Sequence, residues 1–109
     1  MWIFTDKAFL SIIQDFRDPD TLIVRARFPD HIRNIFPNAR VTKTPGRDYL
    51  YRTLLPRGEV VERIKALTEG IDYPNFKDAV AERQGGARAH IYSGVWGTLL
   101  GLQEGGRYG

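Results

Sequence analysis

The chain has 109 residues, no cysteine, sixteen basic against thirteen acidic side chains and a net charge of +3. That length suits one domain burying roughly 65% of its unfolded surface without metals or staples, and the missing cysteines exclude a disulfide framework, thiolate metal ligands and a cysteine nucleophile. Twelve of the sixteen basic residues are arginine, whose planar fork favours carboxylate and phosphate partners, although acid and base alternate along most of the chain as on a solvated surface.

The opening segment, MWIFTDKAFLSIIQDF, carries Asp6, Lys7 and Asp15 and has no basic run ahead of an apolar one, so it does not read as a signal peptide. No apolar stretch approaches the roughly 20 residues of a membrane span. A soluble, cytoplasmic protein is expected. The same segment reads as extended from Trp2 to Phe16, with an interruption at Thr5, Asp6 and Lys7. Arg17, Asp18, Pro19 and Asp20 form a turn, and Thr21 to Phe28 returns as a strand. Pro29 opens a short helix, Asp30 suits its positive end, and Ile32, Ile35 and Phe36 give it an apolar stripe before Pro37 and Asn38 stop it.

The pattern then recurs. Val41 to Thr44 reads as a strand, Pro45 and Gly46 as a turn, and Tyr49 to Leu55 as the returning strand. After Pro56 comes a helix with Val60, Ile64, Leu67 and Ile71 on one stripe, and Gly70 is placed for a left-handed cap. Arg25 matches Arg52 and Pro29 matches Pro56, both at an offset of 27. The economical reading is a ββα unit used twice: an α+β, four-stranded, mainly antiparallel sheet with helices on one face, a two-layer sandwich of the ferredoxin-like kind.

A C-terminal helical extension follows. Asp72, Tyr73, Pro74 and Asn75 start a third helix carrying Phe76 and Val80, and Gln84, Gly85 and Gly86 break it. A last helix spans Ala87 to Gln103, with Ile91, Val95, Leu99 and Leu102 on one stripe and Tyr92, Trp96 and Leu100 widening it, as for a helix packed on two neighbours. Gly94, Gly97 and Gly101 share one side, which predicts close backbone approach of another element or a notch for a ligand or partner helix. The chain is expected to form one domain over 1–104 with a flexible tail over 105–109.

Side chains alternate along a strand. Leu22, Val24, Ala26 and Phe28, with Tyr51, Thr53 and Leu55, and Tyr49 on the same side, are expected on the core face, which leaves Ile23, Arg25, Arg27, Leu50, Arg52 and Leu54 on the other. That arginine and aliphatic surface is the best candidate for binding a partner, unless Asp15 or Asp48 neutralises it. A protein, or a second copy of the chain, fits its composition better than nucleic acid does, because aromatic side chains for base stacking are expected on the core side.

Chemistry is sparse. His31 and His90 are the only histidines, too few for a convincing metal site without cysteine, and both read as helix-surface residues. Ser11 and Ser93 lack a nucleophile elbow, and the glycine pairs do not form a phosphate loop. No catalytic residue, cofactor or metal is expected, and the chain leans away from being an enzyme.

Several segments resemble a family of short uncharacterised bacterial proteins: Trp-x-Phe-Thr at Trp2, Phe4 and Thr5, Val-Arg-Ala-Arg at Val24 to Arg27, Asp-Tyr-x-Tyr-Arg at Asp48 to Arg52, and Asp-Tyr-x-Asn-Phe-Lys at Asp72 to Lys77. His90, Tyr92, Val95, Trp96, Leu102 and Gln103 continue the likeness. The resemblance implies a single intact domain and supplies no catalytic residue. Among these positions Tyr73, Asn75, Lys77, His90, Tyr92 and Trp96 are an alternative site, a small polar pocket for an anionic ligand or for the substrate of an enzyme.

Overall fold

A computed structural model describes residues 1–105; beyond Gly105, the expected tail lies outside the described residues. The chain groups into two compact units, Met1–Asp72 and a second beginning at Tyr73.

The first unit is an antiparallel sheet with two helices. Its strands are β1 (Trp2–Phe4), β2 (Phe9–Asp15), β3 (Asp18–Ala26), β4 (Thr42–Lys43) and β5 (Tyr51–Pro56), in the order β1-β2-β3-β5-β4. Five strands replace the four expected, because the interruption at Thr5 is a complete turn. Thr5 Oγ1 accepts from the amides of Lys7 (3.1 Å) and Ala8 (2.9 Å), and Thr5 N–H donates to the Ala8 carbonyl at 2.8 Å. A short polar side chain that satisfies two amides locally offers the backbone an alternative to the ladder.

The β2–β3 turn is tighter than the Arg17–Asp20 segment expected. Asp15 already faces Asp18, with a register shift between Gln14 and Asp15, and β3 starts at Asp18. Across β3 and β5 the register is continuous from Thr21 opposite Pro56 to Ala26 opposite Tyr51.

Helix α1 (Pro29–Ile35) follows β3, with Pro29 in its first turn, where a missing amide proton leaves no bond unmade. Helix α2 (Arg57–Glu69) follows β5. Arg57 donates to the Pro19 carbonyl through Nε at 3.0 Å and Nη2 at 2.6 Å, and to Gln14 Oε1 at 2.7 Å, tying the start of α2 to the β2–β3 turn. Gly70 closes α2 at φ −88°, an ordinary backbone conformation and not the left-handed cap expected, with its N–H donating to the Ala66 carbonyl.

The core lies between the sheet and these two helices. Leu10, Ile12, Leu22, Val24, Ala26 and Leu55 project from the strands onto Ile32 and Ile35 of α1 and Val60 of α2. Fully burying such a side chain contributes about 1.5–3 kcal/mol. Alternation therefore assigned this face correctly along β3 and β5, except that Phe28, past the end of β3, is 42% exposed and packs beside His31 at 5.1 Å. Ile71 lies beyond α2 and is exposed.

His31 is a correction. It is only 2% exposed, and its Nδ1 accepts the Phe9 amide at 3.1 Å, joining α1 to the start of β2. That acceptor role fixes the proton of the neutral ring on Nε2.

The second unit pairs α3 (Phe76–Gln84) with α4 (Gly86–Gln103). Asn75 caps α3 by accepting the Asp78 amide on Oδ1 at 2.9 Å. Gly85, at φ 97°, makes the reversal between the helices in backbone space that a side chain disfavours. Ala79 and Val80 of α3 and Ala89 of α4 are buried. Ile91, Leu99 and Leu102 are exposed, against the expectation of a helix enclosed by two neighbours. A Cβ built at Gly94 or Gly97 would meet nothing within 4 Å, so close backbone approach does not explain them.

Candidate interaction surface on the open sheet face

The two central strands bring the expected residues together on the face away from α1 and α2. In an antiparallel pair, directly opposite residues share a face. Ile23 stands opposite Leu54 and Arg25 opposite Arg52, while β2 adds Ile13 opposite Ile23 and Ser11 opposite Arg25. Leu54 is 52% exposed, Ile13 and Arg27 are exposed, and Ile23, Arg25 and Arg52 are half-buried. Leu50 lies before β5 in the loop, half-buried, and its carbonyl accepts from Thr44 N–H at 2.6 Å.

The opposite end of this face is aromatic, which the sequence reading missed. Trp2 pairs with Ser11 and Phe4 with Phe9, so the β1 rings join Phe9 beside the arginines. Phe4 and Phe9 stack at 4.2 Å, and Trp2 meets Phe9 edge-on at 5.8 Å. Tyr49, assigned to the core side by alternation, lies under the arginines instead: Arg25 Cζ is 4.7 Å and Arg27 Cζ 4.3 Å from its ring centroid. Its parity fails because residues 44–50 leave the ladder, Thr44 Oγ1 donating to the carbonyls of Tyr49 and Leu50 at 3.0 Å each. The signals that could have located these rings were the Thr5 turn, which restarts the alternation at Phe9, and the Pro45, Gly46 turn, which breaks it before Tyr49.

Electrostatically the arginines lack ion-pair partners among the described residues. Among the described residues no carboxylate comes within ion-pair distance of Arg25, Arg27 or Arg52; Asp15 pairs with Arg17 at 3.4 Å, and Asp48 accepts the Tyr49 amide at 3.0 Å. Arg25 donates through Nη2 to the buried Ser11 Oγ at 2.6 Å. The Nε atoms of Arg25 and Arg52 are buried without a hydrogen-bond partner. The Arg52 guanidinium is held below its usual value by burial, then by Arg47 and Arg25, with Asp48 opposing. Stacking on the Tyr49 ring offsets part of this repulsion, about 0.5–1 kcal/mol for an exposed cation over an aromatic face.

The alternative ligand site is partly assembled. Asn75, Phe76, Lys77, Tyr92, Trp96 and Gly97 line one cleft of about 610 Å³ between α3 and α4. Tyr73 does not line it but packs on Phe76 at 6.3 Å, and exposed His90 lies outside it. Phe76 and Tyr92 stack at 6.4 Å with an interplanar angle of 14°. Tyr92 donates to Gln84 Oε1 at 3.4 Å, and burial raises its phenol above the usual value against the opposing pull of Arg88.

Among the described residues, no group of three or more His, Asp or Glu side chains is arranged to hold a metal ion, and no helix is long and apolar enough to cross a membrane. No family model, curated protein or solved structure matches the chain.

Proposed function

We propose that the chain is a non-enzymatic binding module that engages an acidic protein partner through the open face of its sheet. The observation that carries this reading is the Arg25 and Arg52 pair, directly opposed with Arg27 alongside and, among the described residues, no carboxylate within ion-pair distance. Like charges held face to face destabilise a sheet, and an anionic partner converts that repulsion into affinity. Ile13, Ile23 and Leu54 extend the patch as aliphatic anchors, a mixture of arginine and apolar side chains characteristic of protein interfaces. A second copy of the chain docking symmetrically would set this cationic centre against itself, so a distinct partner is favoured.

Under the same reading the sheet derives from a duplicated ββα unit, β2-β3-α1 and β4-β5-α2, with β1 added at one edge. Arg25 and Arg52 are then equivalent positions of the repeat. The layering, helices on one side of an antiparallel sheet, is what this shares with the ferredoxin-like sandwich expected from the sequence.

One observation favours nucleic acid as a second reading: Trp2, Phe4 and Phe9 lie on the same face as the arginines. Rings beside cations are the elements of a single-strand platform.

Size-exclusion chromatography with light scattering, absorbance at protein and nucleic-acid wavelengths and mass spectrometry of co-eluting material, at low and high salt, tests the proposal. An acidic protein that co-elutes with the native chain and is lost with the R25E/R52E double variant is expected. Co-elution unchanged in that variant discards the face. Nucleic acid released by salt, with log affinity falling at a slope of about −2 to −3 for three phosphate contacts, replaces the protein reading with the second one.

A further inference from the structure

The α3–α4 cleft lies in the second unit, and the sheet-face proposal does not use it. Its walls are mostly apolar: the stacked Phe76 and Tyr92 rings, Val80 and Ala89 behind them, and the Trp96 indole, 67% exposed. Among the described residues that line it there is no carboxylate and one charged side chain, Lys77, which makes no ion pair or hydrogen bond with any described residue. At about 610 Å³ it falls within the range of roughly 300–1,000 Å³ typical of small-molecule sites.

Gly97 also lines the cleft, in a helix interior where glycine is disfavoured, and a Cβ there would meet nothing. The notch at this position therefore adds to the open space of the cleft.

We propose that this cleft binds a small aromatic carboxylate, its ring between the Trp96 indole and the Phe76 and Tyr92 pair and its carboxylate on the Lys77 ammonium. A lining of three aromatic side chains, with Phe76 and Tyr92 nearly parallel, favours a flat ring, because offset stacking adds to the burial of area. A cation on the lining, with no acid among the described lining residues, selects an anion over a neutral or cationic ligand. Burial raises the Tyr92 phenol above its usual value against the pull of Arg88, whose guanidinium shares Gln84 Oε1 with the phenol, so that end of the cleft presents a neutral hydroxyl with a cation nearby and no anion to repel a carboxylate.

The experiment is an amide and indole chemical-shift titration of the full chain with 2-naphthoate, with 2-naphthamide as the uncharged control. The two tryptophans give separate reporters, one in the cleft and Trp2 on the sheet. Saturable displacement of the Trp96 indole signal by naphthoate, with Trp2 unmoved, is expected. K77M weakens naphthoate by about fivefold, the worth of one exposed charge contact near 1 kcal/mol, and leaves naphthamide unchanged. Gly97→Leu fills the notch and blocks both ligands while the amide spectrum remains that of a folded chain. Should Gly97→Leu disturb that spectrum, the K77M comparison alone decides. No saturable shift at Trp96, equal affinity for naphthoate and naphthamide, or a K77M variant that binds naphthoate as tightly as the native chain would overturn the proposal.

Discussion

Arg25 and Arg52 face each other directly across the central β3 and β5 pair, and each keeps a buried Nε without a hydrogen-bond partner. Two guanidiniums in that position oppose folding. Removing one relieves the other, whereas removing both also removes the proposed anion-binding centre.

The two arginines are not equivalent in what they touch. Arg25 is anchored on Ser11 Oγ and the Tyr49 ring, while among the described residues Arg52 makes neither kind of contact. Arg52→Met is therefore expected to leave stability unchanged or raise it by up to about 1 kcal/mol, the size of an opposed like-charge pair. Arg25→Met leaves the buried Ser11 hydroxyl without its donor and is expected to cost about 1 kcal/mol or more. Urea unfolding of the two variants checks the ranking; a destabilised Arg52→Met beside a neutral Arg25→Met contradicts it.

His31 reports on the joint between α1 and β2. Replacing it by leucine keeps an apolar side chain of similar size in the core but strands the Phe9 amide, which is expected to cost about 1–3 kcal/mol in urea unfolding. A cost below about 0.5 kcal/mol would mean that this amide finds water or another acceptor.

Asn75→Ala removes the side-chain cap of α3. The expected loss is about 1 kcal/mol, read as faster amide exchange confined to the first turns of α3. Acceleration spread evenly over the sheet would show that the two units unfold together.

Gly94→Ala tests the open space along α4. With room for a Cβ and no strained backbone, the substitution is expected to stabilise the helix by about 1 kcal/mol. Loss of stability would place an unseen neighbour against that position.

Tyr92 sets a limit at alkaline pH. Its phenol is raised above the usual value by burial, so the folded chain holds that proton more tightly than the unfolded one. The associated stability is fully present below the unfolded value near 10 and is lost as pH rises through the higher folded value. Absorbance in the tyrosinate band is expected to show a late-titrating phenol that Tyr92→Phe removes; an unchanged titration in that variant would assign the late phenol elsewhere.

The core face of β3 and β5 was legible in the sequence because Leu22, Val24, Ala26, Thr53 and Leu55 keep strict alternation through continuous pairing. Alternation carries information only while the ladder lasts. It ends at the Thr5 turn, which divides β1 from β2, and at the loop before β5, which places Tyr49 on the arginine side. The aromatic rings of that face were invisible for that reason, whereas the placing of Arg25 and Arg52 on the face away from the helices followed from the unbroken ladder. His31 was misplaced by reading the first turn of a helix as surface: helix position predicts exposure only where no neighbouring strand covers it, and here Phe9 does. Caps were better: Asn75 behaves as its residue type requires, while Gly70 shows that a glycine in the capping position need not adopt the left-handed conformation.

The most direct test of the central claim is photocrosslinking in cells from two exposed positions of the first unit, Leu54 on the open sheet face and Val61 on α2, each replaced by a photoreactive phenylalanine analogue. The account predicts a discrete adduct with an acidic protein from position 54 only, lost when Arg25 and Arg52 are changed to glutamate. An adduct from both positions alike, no adduct from position 54, an adduct of twice the chain mass, or one that nuclease removes would contradict it.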